Sequence, residues 1–325
     1  MKPRCIWLDC DTGTDDAAAI LCAAALPELK LAGLSSVAGN VEGRKTYLNT
    51  LRICRLMGRT YPVYAGAAQP LAVPYTPAYG FHGENGLGGV ELPLPENCTA
   101  PDLPAWEAIY RCAAAQKGEL ELITTGPMTN AAMALLLHPD LPQYLKRILV
   151  MGGSATGGNR TPAAEFNVYA DPHAAQTVFT CGAPVVMCGL DVTEQATVTP
   201  AQLSALAACG GTVAQTLCRL LATRPDYQRG AVMLHDVVPV LYAARPGLFE
   251  GRKAWVRVET KGAITRGKTV TDLYSDKKYP EKNALVLLGV DRSGFARLFF
   301  RLILSLDGIC ATEACLDQIE RGALT

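Results

Sequence analysis

Four aspartates fall within eight residues, Asp9-Cys10-Asp11-Thr12-Gly13-Thr14-Asp15-Asp16. Strand side chains alternate in direction, so Asp9 and Asp11 share a side at the carboxyl end of the apolar run that precedes them. Gly13 permits a sharp turn, and Asp15 and Asp16 then open a helix, where the macrodipole favours anions. Two unit charges 4 Å apart repel by about 4 kcal/mol at an effective dielectric near 20. A helix end offsets only ~0.3–1 kcal/mol, or about 2 kcal/mol when partly buried. The cluster therefore holds either protons or a cation. All-oxygen ligation from loop and helix-end groups suits Ca²⁺ first and Mg²⁺ second. Zinc is disfavoured, because no His/Cys cluster accompanies the carboxylates. An EF-hand is excluded by spacing, since Gly13 stands fifth and Ile20 twelfth. The plainer reading, in which Asp15 and Asp16 only start a helix and the other two are solvated, leaves the repulsion unanswered.

Such a cluster needs a scaffold, and strand-like and helix-like segments alternate around it. Cys5–Asp11, Leu31–Ala38, Pro62–Ala65, Leu120–Thr125, Ile148–Met151 and Pro184–Cys188 read as strands. Asp15–Leu26, Arg44–Met57, Thr129–Leu137, Pro172–Cys181 and Gln202–Leu221 read as helices. This order predicts an α/β fold, a mainly parallel sheet with helices on both faces. Trp255–Val258 and Thr269–Leu273 add a small antiparallel pair near the carboxyl terminus. The sequence reads as one domain over residues 1–325. Val73–Leu103, rich in proline and glycine, is a long loop of the kind that closes over a site. In open α/β sheets ligands bind at the carboxyl ends of the strands, where the four aspartates stand.

Composition narrows the function. Lys+Arg and Asp+Glu are 30 each, so the chain lacks the cationic excess that sequence-independent nucleic-acid binding needs. A hydrophobic fraction of 49% with 18% charged residues excludes intrinsic disorder. The longest apolar run, Ala17–Leu26, is about half of what a bilayer requires. No membrane partner is expected. The 12 cysteines contain no C-x-x-C pair and read as reduced, mostly buried thiols; with no signal-peptide core, a cytoplasmic location follows.

Along nearly the whole chain these motifs resemble the inosine–uridine-preferring nucleoside hydrolases. The aspartate cluster is similar to that family's D-x-D-x-G-x-D-D signature. Val37-Ala38-Gly39-Asn40, the run Phe81 to Gly89, Thr125-Gly126-Pro127-Met128-Thr129-Asn130 and Met151-Gly152-Gly153 continue the likeness in order. Glu165-Phe166-Asn167, Asp171-Pro172 and His235-Asp236 complete it. The resemblance implies hydrolysis of the N-glycosidic bond of uridine, inosine or cytidine, with Ca²⁺ as cofactor and a homo-oligomer, dimer or tetramer, as the assembly. It implies that Asp11, Asp16, the Thr125 carbonyl and Asp236 ligate calcium, and that Asp11 deprotonates a calcium-bound water. Asp15, Asn40, Asn159, Glu165 and Asn167 would bind the sugar, Asn167 with a catalytic part. From the residues alone, Phe166 either stacks on ribose or base or belongs to the core. His82 and His235 would face the base, His235 the firmer candidate for leaving-group acid. From the residues alone, Tyr227, eight residues before His235, either reaches the base or belongs to core or surface. Asp9 would support the site without touching metal. Thr12 stands where many members have proline, which implies a looser turn. Members restricted to purines stack tryptophans on the base, whereas Trp7, Trp106 and Trp255 lie outside the matching segments.

The chemistry agrees with these roles, since glycosidic cleavage passes through an oxocarbenium-like state that carboxylates and amide oxygens stabilise. Asp171-Pro172 reads as a helix cap alone, and Asp236 has a second reading as the cap of Val237–Ala244. Two rival functions remain. A phosphatase of the haloacid dehalogenase type also carries D-x-D after its first strand, but needs a lysine and a late acidic pair. A non-catalytic nucleoside-binding protein would keep the pocket without turnover.

Overall fold

Strand β1 (Arg4–Cys10) is buried beyond Arg4 and lies inside the sheet rather than at its edge. The computed structural model describes residues 2–96, 101–274, 278–279 and 281–322. The other strands are β2 (Leu29–Ser36), β3 (Val63–Ala65), β4 (Leu120–Thr124), β5 (Leu145–Met151), β6 (Val185–Cys188), β7 (Thr197–Val198), β8 (Val232–Met233), β9 (Phe249–Val258), β10 (Thr269–Asp272) and β11 (Ala284–Val290). Among the described residues nine of them form one sheet in the order β10-β9-β11-β6-β5-β4-β1-β2-β3, and β7 and β8 pair separately. From β11 to β3 every pairing is parallel, whereas β9 runs antiparallel to both β10 and β11.

Alternation along β1 divides the core in two. Ile6, Leu8 and Cys10 pack on one face with helices Thr14–Ala25, Val237–Ala244 and Arg292–Leu306. Cys5 and Trp7 face the opposite layer, built from helices Ala105–Gln116, Thr129–Leu137 and Pro172–Phe179. From β1 the chain steps outward to β2 and β3, then crosses back to β4 on the other side of β1 and proceeds to β5 and β6. The strand order therefore reverses between β1 and β4, and the crevice above their carboxyl ends is the place where such folds take ligands.

The expected antiparallel pair is present, with Thr269 opposite Val258 and Asp272 opposite Trp255. Its inner strand is longer than expected and joins the main sheet through β11. The helix expected over Gln202–Leu221 is two, Pro200–Cys209 and Thr212–Ala222, broken at Gly210-Gly211. The break is held from outside. Asp307, beyond the end of helix Arg292–Leu306, accepts from the N–H groups of Gly211, Val213 and Ala214 at 2.9–3.0 Å and so caps the second helix. Of the loop expected over Val73–Leu103, residues 97–100 lie outside the described residues; the rest is irregular except for one helical turn, Tyr79–His82. The described cysteines are free thiols, and Cys98 lies outside the described residues. No described helix is long and apolar enough to cross a membrane.

Candidate active site

Asp11 is the first residue after β1, and the chain is shaped closely around it. Its Oδ2 accepts from the Asn40 backbone N–H at 2.7 Å, in the turn after β2. Gly39 presses against that same oxygen, and a Cβ on Gly126 would stand 2.7 Å from the Asp11 Cγ and Oδ1. Two neighbouring backbones thus leave the carboxylate one place to sit. Asp16 closes the turn below it: Oδ2 accepts from Gly13 N–H at 2.8 Å and Oδ1 from the Thr125 hydroxyl at 2.8 Å. Thr12, where a looser turn was expected, is anchored by a hydroxyl–hydroxyl bond of 2.7 Å to Thr50. Asp9 accepts from Ser35 and from Asn130 Nδ2 and does not line the crevice.

The opposite wall follows β4 and β5. Asn167 Nδ2 donates to the Thr125 carbonyl at 2.8 Å and the Met151 carbonyl at 3.0 Å, which leaves its Oδ1 as the free end. Glu165, buried, accepts from the N–H groups of Asn167, Val168 and Gly153. It caps helix Phe166–Ala170 and ties that helix to the loop after β5, so structural bonds already occupy both its oxygens. Burial raises its pKa to about 6 against those bonds. Asn159 Oδ1 accepts from Phe166 N–H at 2.9 Å.

Asp11, Asp15, Asn40, His82, Thr125, Asn159, Glu165, Phe166, Asn167, His235 and Asp236 line a single cavity of about 660 Å³, with Asp16 buried beneath it. Tyr227 does not join them. Arg224 draws the preceding Asp226 inward, so the turn at Tyr227–Arg229 leaves Tyr227 against the hydrophobic core and on a separate surface depression beside helix Thr212–Ala222. Tyr227 thus sits with core and surface, the second of its two readings, and Pro225, Asp226 and Arg229 line the cavity.

Both histidines are held in the neutral form. His82 Nδ1 accepts from the Thr14 N–H at 3.3 Å, and His235 Nδ1 lies 2.8 Å from the Thr193 hydroxyl. Burial lowers each pKa to about 4, with Asp15 opposing and Arg224 adding to the fall.

Sequence reading missed Arg224, which is fully buried. It pairs with Asp15 Oδ2 at 3.0 Å and with both oxygens of Asp226 at 3.0 and 2.8 Å. Nothing in Arg224-Pro225-Asp226 marks it, since an arginine after a helix is ordinarily solvated. Its presence divides the carboxylates into two sets. Burial works against ionisation of Asp15, but the Arg224 guanidinium holds that carboxyl well below its usual range. Among the described residues Asp11, Asp16 and Asp236 have no ion-pair partner, although the Arg224 charge acts weakly on Asp236. Burial first, and then the neighbouring aspartates, raise all three, Asp16 to about 7. Carboxylate oxygens of Asp15, Asp16 and Asp236 lie within 4.8 Å of one another. Asp16 and Asp236, which are buried, unpaired by a cation and part of this converging all-oxygen group, would suit a hard divalent cation.

The close fit around Asp11 carries a test. Gly126→Ala is expected to lower kcat by about 10- to 100-fold, the scale of a displaced catalytic group, with a Tm close to that of the parent. Steady-state kinetics with a thermal melt read both, and undiminished kcat would mean that the carboxylate position does not matter.

A family model described as inosine-uridine preferring nucleoside hydrolase matches residues 6–297. The pyrimidine-specific ribonucleoside hydrolase RihA of Shigella boydii serotype 4 (strain Sb227) is 42% identical over 306 residues, covering 90% of this chain and 96% of that protein. The protein of the same name from Escherichia coli O81 (strain ED1a) is 41% identical over 304 residues, with the same coverage. Among solved structures, a purine-preferring ribonucleoside hydrolase from Gardnerella vaginalis superposes with a TM-score of 0.88 at 31% identity, covering 94% of this chain and 99% of that one. A plant nucleoside hydrolase, PpNRh1, gives 0.87 at 29% identity, over 93% and 99%.

Proposed function

The chain belongs to the inosine-uridine preferring nucleoside hydrolase family, and from that premise we propose that this ribonucleoside hydrolase acts on uridine and cytidine ahead of inosine. The observation that carries the reading is the one cavity shared by Asp11, Asp15, Asn40, Asn167, His82, His235 and Asp236. Two features favour pyrimidines. Relatives above 40% identity are named pyrimidine-specific, and among the described residues no tryptophan lines the cavity to stack on a purine.

Asp11, Asp16, Asp236 and the Thr125 carbonyl would hold Ca²⁺, which when bound orients the ribose hydroxyls and makes a water more acidic. Asp11, fixed between Gly39 and Gly126, takes the proton of the attacking water. Asp15 accepts from a ribose hydroxyl. The free Oδ1 of Asn167, its nitrogen pinned to two carbonyls, stabilises the positive charge that develops on the sugar. Asn40 and Asn159 supply further polar contacts, and Phe166 an apolar wall. His82 and His235, neutral at pH 7, serve the departing base as N–H donors rather than as imidazolium. A homo-oligomer in the cytoplasm, salvaging nucleosides, is the setting that the resemblance implies.

Ribose release from uridine, cytidine, inosine and 2′-deoxyuridine tests the proposal. A site built to bond a hydroxyl rejects the analogue that lacks it, so 2′-deoxyuridine is expected to show kcat/KM at least about 100-fold below uridine. Equal rates would remove the hydroxyl contact. Binding without turnover of any nucleoside would favour the non-catalytic alternative. Release of phosphate from p-nitrophenyl phosphate, without base release from uridine, would favour the phosphatase, although no lysine lines the cavity among the described residues.

A further inference from the structure

Arg224 has the largest side chain among the fully buried residues; its guanidinium is hydrogen-bonded through Nε and Nη2 and ion-paired through Nη1. Nε and Nη2 form a two-pronged bond to Asp226, Nη2 also donates to the Met233 carbonyl at 2.9 Å, and Nη1 meets Asp15 Oδ2 at 3.0 Å. Its flat face lies 4.7 Å from the centre of the Phe81 ring. Asp226 accepts in turn from the Met233 N–H at 3.0 Å. Three wall segments are thereby tied at one point: the opening of helix Thr14–Ala25, the turn at Tyr79–His82, and the stretch from Arg224 to Met233.

Asp15 does not gain from this tie as an ordinary buried ion pair would. Its Oδ2 is taken by Arg224, while its Oδ1 is buried, has no hydrogen-bond partner, and lies 3.9 Å from His82 Nδ1 in the residue that lines the cavity. A buried carboxylate oxygen without a donor is an unmet demand, and one that an incoming hydroxyl would meet. We propose that Arg224 is a positioning residue of this enzyme: it grips one oxygen of Asp15 so that only the other is presented to a ribose hydroxyl. The inference rests on the nucleoside-hydrolase reading. Lysine would supply charge but not the planar fork that bridges Asp15 and Asp226, so the two cations are not equivalent here.

The experiment compares Arg224→Met, Arg224→Lys, Asp15→Ala and the double variant Asp15→Ala/Arg224→Met. It measures kcat and KM for uridine, and the affinity for free ribose by calorimetry in calcium-containing buffer. Arg224→Met is expected to lower kcat/KM by about 10- to 100-fold and to weaken ribose binding about tenfold, with Arg224→Lys recovering part of both. On the Asp15→Ala background, loss of Arg224 is expected to change ribose affinity by less than about twofold, because its effect runs through the missing carboxylate. An equal loss on both backgrounds would make Arg224 a structural residue only and overturn the proposal, as would Arg224→Met with kcat/KM within twofold of the parent. If that variant fails to fold, Arg224→Met/Asp226→Asn, which removes both charges of the buried pair, takes its place in the same comparison. A parent protein that binds ribose but releases none from uridine would sink the functional reading, while the affinities would still decide whether Arg224 acts through Asp15.

Discussion

Replacing Asp11 by alanine is expected to lower kcat for uridine by about 10²- to 10⁴-fold, the range that a positioned general base supplies. The carboxylate stands at the carboxyl end of β1 beside the crevice where strand order reverses, and close backbone approach at Gly39 and Gly126 fixes its direction. Without a cation, burial and the nearness of Asp16 raise its pKa and favour the protonated form; a bound divalent ion would keep it ionised and able to accept a proton. The same crowding makes the residue costly to keep. Free of divalent ions, Asp11→Ala is therefore expected to melt no lower than the parent, since one member of a mutually repelling set has gone. Reducing-sugar release and a thermal melt, each with and without chelator, separate the two effects. Turnover that survives the substitution would remove Asp11 from the reaction.

Stripping divalent ions with a chelator is expected to abolish turnover, and added Ca²⁺ to restore it. Stability is expected to respond with a definite sign. Folded Asp16 titrates at about 7, and burial with the neighbouring aspartates raises Asp11 and Asp236 well above the usual range, against about 3.9 for an unfolded aspartate. Between those values the folded chain holds more protons than the unfolded one, so stability falls as pH rises. His82 and His235 act in the opposite sense. Their folded pKa of about 4 lies below the unfolded value near 6.5, so their contribution is lost as pH drops through that interval. Above pH 6.5 the histidines add no further slope and the carboxylates govern it, at up to about 1.4 kcal/mol per pH unit for each extra proton held. The chelated protein should thus lose Tm from pH 6.5 to 8, and calcium should flatten the fall by keeping the cluster ionised. A Tm that is indifferent to both chelator and pH would mean that no cation belongs there.

Much of this was legible in the residues. Repeated strand–helix alternation gave the parallel sheet, and the aspartate cluster with the short motifs after β2, β4 and β5 pointed to side chains that meet in one cavity. The carboxyl-terminal third was less legible. β11 and helices Arg292–Leu306 and Glu313–Glu320 carry no motif, and β9 extends through the charged residues Arg252 and Lys253, which interrupt the apolar pattern of a strand. Arg224 escaped for a related reason. Its burial is decided by Asp15, more than two hundred residues away, and by Asp226 after a proline turn, and neither is visible in local pattern. Nor does local pattern show the burial of His82 and His235, a property of the whole fold, which lowers their pKa.

The three bonds that Asp307 makes to the start of helix Thr212–Ala222 reach further than helix capping. Arg224 stands just past the other end of that helix. Asp307 itself does not line the cavity, yet a truncation that removed it would free the start of the helix that leads into Arg224, the partner of cavity-lining Asp15.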